Sequence, residues 1–286
     1  MAYLLGNLLQ DIYSELGQLA VSTATGGSTT TVVDSKLGGV NLDDDYNDGT
    51  VFIVSSADGL APQGEFARIS DYAGSSGTFT VEALSAAVEN GDSYAYAPEF
   101  YPLRTVIELA NAGLRSLGDI ALVDSTTLET AAGTTEYAAS VAWKRRRPLM
   151  IDYQGRSGAS GDNQWVRVYD WELVPAAPGT SGLLVFGEEM PAGRDIRIWY
   201  VDSHPRVSAF DDVISETIVP DLAVSAGVER ALRWQNSRQG GGDAFLLQRW
   251  NDAKVELARA QVRFPIWTPR RVSKLMKLGS NSGGGF

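Results

Sequence analysis

A single histidine, His204, sits in the run Val-Asp-Ser-His-Pro-Arg-Val, directly after Ser203. A serine and an imidazole are the raw material of a nucleophile and its base. A triad is a spatial arrangement, however, and adjacency along the chain does not supply one. No Gly-x-Ser-x-Gly elbow occurs, so His204 reads as a hydrogen-bonded hinge residue at the end of a β segment. The chain has no cysteine, which excludes disulfides, thiolate nucleophiles and thiolate-bound zinc. One histidine also excludes a multi-histidine metal site within one chain.

Other candidates for chemistry are local. Asn41 to Thr50 crowds Asp43, Asp44, Asp45 and Asp48, and oxygens at Asp43, Asp45 and Asn47 have the alternation that calcium uses. The EF-hand pattern wants glycine where Asp48 stands and glutamate where Val54 stands, so a solvated turn is expected. Gly74-Ser-Ser-Gly77 invites a phosphate loop, but a strand pattern follows it instead of a helix start, so it reads as a hairpin turn. The run Lys144 to Arg147 alternates its charges across two faces if extended, which favours a charge-paired strand over a nucleic-acid patch. Trp165, Trp171 and Tyr153 offer a stacking platform for a sugar. Paired carboxylates for glycoside hydrolysis can be drawn from 35 Asp and Glu, but nothing selects a pair.

Helices and strands alternate in blocks along the chain. Leu5, Leu8, Leu9, Ile12 and Leu16 make one helical stripe, predicting a first helix within residues 1–21. Residues 22–99 change to period two, with Thr, Val, Phe and Tyr runs between Gly, Asp, Asn and Ser clusters, predicting a small barrel or sandwich. Pro102 opens a second helix within 100–121, with a stripe at Leu103, Val106, Ile107, Ala110, Leu114 and Leu117. Residues 122–204 return to strand patterns. Residues 205–264 are expected to be helical from about Asp211, capped by Asp211 or Asp212, with Pro220 starting or kinking the second half. The last helix has the clearest stripe, Leu246, Trp250, Ala253, Leu257, Ala260 and Phe264, and Pro265 ends it. An extended basic tail, 265–286, follows. The expected class is therefore α+β: a helical bundle core of about four helices, two inserted antiparallel β modules, and the tail.

Charge is polarised. The formal net charge is −11, and residues 1–100 hold fourteen acidic side chains against Lys36 and Arg68 alone. Arg263 to Phe286 has five basic residues and no acidic one. Such a tail seeks an acidic surface. Trp267, Arg270, Arg271, Lys274, Lys277 and Phe286 are its candidate partner-binding residues, because tryptophan and arginine are favoured interface anchors. No catalytic, cofactor or metal residues are assigned. The opening segment carries Asp11 and Glu15 without a basic lead and does not read as a signal peptide; no apolar run is long enough to span a membrane.

The stretch from Ser22 to Phe100, with Thr29-Thr-Thr-Val-Val and Ile69-Ser-Asp-Tyr-Ala-Gly-Ser-Ser-Gly-Thr-Phe-Thr-Val, resembles a β module of tailed-phage neck and head-tail proteins. The segment Asp211 to Arg238, followed by a long helix and a basic tail, resembles head-to-tail adaptor (connector) proteins. Together these cover roughly half of the chain. The resemblance implies a structural virion protein of the neck, made in the host cytoplasm. It implies a ring of twelve copies below the portal, a downstream tail or neck partner, and genomic DNA passing through the channel without sequence-specific binding. It implies no enzyme, no cofactor and no membrane. The competing readings are a carbohydrate-binding or decoration protein of a virion and, further off, a glycan-degrading tail enzyme.

Overall fold

The computed structural model describes residues 2–59, 62–140, 143, 148–156, 164–175 and 182–268. Within these, two compact units form, one from residues 2–118 and 203–266, the other from residues 119–202 with 267–268.

The first unit is built round a seven-stranded antiparallel sheet. Its strands are β1 (Ala20–Thr23), β2 (Gly26–Gly27), β3 (Thr31–Val33), β4 (Thr50–Ser55), β5 (Phe66–Ala73), β6 (Thr78–Val81) and β7 (Ser93–Ala97), in the order β1-β7-β4-β5-β6-β3-β2. The two edge strands are separated in sequence only by Ala24 and Thr25, so the sheet curls round on itself as a small barrel. Val32, Ile53, Ile69, Tyr72, Phe79 and Tyr94 fill it. The alternation of β5 changes phase on the way. A bulge between Ile69 and Asp71 turns Ile69 and Tyr72 to the same core, although simple alternation puts them on opposite faces.

Four helices complete the first unit: α1 (Leu5–Glu15), α2 (Leu103–Ser116), α3 (Pro220–Arg238) and α4 (Ala244–Arg263). The apolar stripe of α1 lies partly against the sheet. Tyr13 packs edge-on against Phe52 of β4, with ring centroids 5.4 Å apart, and donates its phenol proton to the Tyr101 carbonyl at 2.6 Å. Asn111 of α2 clamps the segment before α3. Its amide donates to the Val207 carbonyl at 2.8 Å, and its oxygen accepts from the Val207 N–H at 2.9 Å.

The second unit is a sandwich. Strands β8 (Asp119–Asp124), β10 (Met150–Arg156), β11 (Gln164–Val168) and β14 (Ile196–Ser203) form a four-stranded sheet, ordered β11-β10-β14-β8. Strands β9 (Glu136–Ala138), β12 (Trp171–Val174) and β13 (Leu183–Phe186) form a three-stranded one, ordered β12-β13-β9. Trp143, Ile151, Leu184, Phe186, Ile196 and Ile198 make the core shared by the two sheets.

These facts correct the expected fold class. The described residues carry fourteen strands in three antiparallel sheets and only four α-helices, and this is no helical bundle with modules set into its loops. Helical stripes demand burial but do not name the partner. Here strand β4 supplies part of the cover for α1, and α4 contributes one buried residue, Leu246, in twenty. Two further expectations change. Helicity does not begin at Asp211 but at Pro220, the first residue of α3. Asp212 instead ties a loop, accepting from the Ser208 and Ala209 N–H groups, which hold its carboxyl below the usual carboxylate range.

Candidate functional site

Most residues singled out for chemistry are consumed by structure. His204 is buried. Its Nε2 accepts the Ser215 N–H at 3.0 Å, which leaves the proton on Nδ1, and Nδ1 donates to the Pro205 carbonyl at 2.7 Å. Burial holds its pKa below the ordinary histidine value. The ring thus ties the end of β14 to the loop before α3, as the hinge reading expects.

The aspartates of residues 43–48 point to separate tasks. Asp43 accepts the Gly74 N–H at 2.7 Å, Asp44 accepts the Asn47 amide at 2.7 Å, and Asp45 accepts the Leu42 N–H at 2.8 Å. Asp48 pairs with Arg68. Among the described residues no group of three or more acidic or histidine side chains is placed to hold a metal ion. Gly74 to Gly77 links β5 to β6, as the hairpin reading expects, and Gly77 adopts a φ of 62° against the Asp34 carbonyl, where a Cβ has no room. Lys144 to Arg147 lie outside the described residues.

The three aromatic residues do not make one platform. Trp165 lies on β11 opposite Gln154, and Tyr153 is the next residue along β10, so the two face opposite sides of the sheet. Trp171 belongs to the other sheet and packs against the core. Trp165 has another neighbour instead. The guanidinium of Arg197 stacks over it at 4.3 Å and over Trp199 at 5.2 Å. Arg197 also donates to the buried Asp152 through Nε at 3.2 Å and Nη2 at 3.0 Å. Arg167 pairs with the same carboxylate from β11, and the Trp199 indole N–H reaches it at 3.0 Å. One register row therefore carries Arg167, Asp152 and Arg197 across three strands. No sequence spacing announces this row, because its members meet only through strand pairing.

The least buried of the four helices is α4. Asp243 caps its start, accepting the Phe245 and Leu246 N–H groups at 2.9 and 3.3 Å. Trp250 anchors it to α3 through an indole N–H to Glu229 at 2.9 Å. Beyond that, Ala253, Leu257, Ala260 and Phe264 of the predicted stripe stay only half-buried. On other faces Phe245, Val255 and Val262 are exposed, Val262 at 85%. After the helix comes Trp267, exposed at 59%. Of the tail residues expected to bind partners, Trp267 is placed, and Arg270, Arg271, Lys274, Lys277 and Phe286 lie outside the described residues.

Beside α4 lies a groove of about 650 Å³, walled by α1, α3 and α4. Val224, Val228 and Ala253 give it an apolar floor, and Asp11, Glu15, Asp221, Asp252 and Glu256 give it carboxylates. Its one cation, Arg249, faces the carbonyls of Glu15 and Leu16, at 3.5 and 3.4 Å. Those carbonyls end α1, where a positive charge is favourable. A second cavity of the same unit, about 740 Å³, mixes Arg68, Arg104 and Arg238 with Asp48, Glu99 and Trp234.

Among the described residues no helix is long and apolar enough to cross a membrane. No family model matches the chain, and no curated protein matches it.

Proposed function

We propose that this chain is a structural assembly protein of a tailed-phage virion, the head-to-tail adaptor that forms a ring below the portal and continues the DNA channel towards the tail. The observation that carries the reading is α4, a capped helix of twenty residues that buries only Leu246. A half-covered apolar stripe that continues into a basic, aromatic-bearing tail suits a contact made with another chain. A closed ring needs one surface to meet a different surface of the next copy. The acidic groove and the basic tail are such a pair. Resemblance in the β module and the helical segment supplies the virion context.

The test is the particle formed by the purified full chain, alone and with a portal protein, followed by light scattering and negative-stain electron microscopy. Rings of a fixed copy number, twelve on the resemblance, are the expected result. A chain that stays monomeric at high concentration and on the portal refutes the proposal.

A further inference from the structure

The groove between α1, α3 and α4 has a composition that specifies its occupant. We propose that it seats the basic tail, residues 270–278, of a second copy of this chain; the inference rests on the self-assembly proposed above. The floor is apolar, from Val224, Val228 and Ala253, and continues into the half-buried Leu257. On the rim, Glu15, Asp221 and Asp252 make no side-chain hydrogen bond or ion pair among the described residues. Arg249 is directed to backbone carbonyls and leaves that charge uncompensated.

The tail has the matching pattern. Arg270, Arg271, Lys274 and Lys277 are interspersed with Val272, Leu275, Met276 and Leu278, with no acidic residue from Arg263 to the end. Apolar side chains meet the floor and cations meet the rim, so burial and charge favour one orientation together.

A second copy is the occupant because the tail of the same chain would have to double back along α4 to reach the groove. Trp267 stands 59% exposed. Asp252 lies about 17 Å back along the axis from Arg263 at 1.5 Å per residue. The sequence that would have to reverse carries Pro265 and Pro269, each of which biases the residue before it to an extended backbone. A tail that leaves one copy and enters the groove of the next repeats without limit until a ring closes.

The absence of cysteine makes the test direct. Full-length Lys274→Cys and Asp252→Cys chains, tagged to differ in size, are mixed and treated with a short bismaleimide. A crosslinked pair of the two sizes is expected, several times stronger than with a Val40→Cys control on an exposed residue. The yield should fall about fivefold towards 0.5 M salt as the charges are screened. A Lys274→Cys/Asp252→Cys chain should give a ladder of multimers. Crosslinking confined to the monomer band of that double variant means that the tail folds onto its own groove and overturns the proposal. A mixed pair no stronger than the control overturns it as well. Electron microscopy of the untreated full chain separates the two readings: rings without the crosslink sink the groove assignment alone, whereas neither rings nor crosslink sinks both.

Discussion

Replacing Leu257 and Phe264 by aspartate separates an interface stripe from a core stripe. Leu257 lies on the same face of α4 as Leu246 and Trp250, and Phe264 follows its last turn, yet both stay half-buried in the single chain. Burying a whole Leu or Phe side chain is worth about 1.5–3 kcal/mol, so the half still exposed leaves about 1 kcal/mol per residue to be gained from a partner. Together that is about 2 kcal/mol, or about 30-fold in the dissociation constant between copies. Two carboxylates placed in the contact raise the loss above about 100-fold, because each must shed water without a partner. The folded monomer keeps much of its stability, since an exposed half-side chain costs little to replace, and a change under about 1 kcal/mol is expected. Urea unfolding gives the second number, and sedimentation over a concentration series gives the first. The reasoning is refuted if the double variant loses several kcal/mol of stability while its particle mass is unchanged. That outcome makes the stripe a core face.

Three further outcomes test the parts that hold the fold. Asp152→Ala strands two arginines that are 27% and 29% exposed, so they recover some water; a loss of about 2–3 kcal/mol is expected, with altered near-ultraviolet signal from Trp199, and a wild-type urea midpoint counts against the row. Gly113→Val adds a branched side chain where even a Cβ would lie 2.9 Å from the Ala226 backbone; overpacking of about 1–3 kcal/mol should lower the melting temperature, and an unchanged one shows that α2 and α3 can part freely. For His204 the folded pKa is depressed by burial. The unfolded chain therefore takes up the proton first as pH falls below about 6.5, and stability drops by at most about 1.4 kcal/mol per pH unit through the folded pKa. Above that window both states are neutral and the term vanishes. His204→Gln should flatten the fall between pH 7 and 5, and parallel profiles for the two proteins would remove the assignment.

Local pattern made the elements legible. The stripes of α1, α2 and α4, the period-two run of the barrel and the Gly74–Gly77 turn are all set by neighbours within a few residues. What failed were inferences about partners. The stripe of α1 is the same whether a helix or β4 covers it, so the fold class was out of reach of periodicity. The bulge at Ile69 and Asp71 is invisible to alternation, because it depends on what β6 offers opposite. Asp211 and Asp212 look like helix caps, but Pro220 takes the helix start and Asp212 serves a loop. The row of Arg167, Asp152 and Arg197 joins residues up to 45 apart in sequence and exists only through register. For the candidate site, the sequence showed the basic tail and the α4 stripe, but not the groove, whose walls come from three separated segments.

The polar residues that the first unit buries have a bearing on what kind of protein this is. Asp34 accepts from Ser22, Lys36 and Tyr94; Asp92 accepts from the Ala57 and Glu89 N–H groups; Glu65 holds Ser85. Each fixes a loop or strand end to the barrel, and His204 and Asn111 do the same for the approach to α3. Each of these carboxylates is held by hydrogen bonds to a neighbouring segment, so these groups act as pins. Other carboxylates, Glu15, Asp221 and Asp252, line the groove rim, where they are exposed and open to another chain. If the pins and the rim divide the work in this way, neutralising the rim should leave the melting temperature unmoved and change only how copies meet.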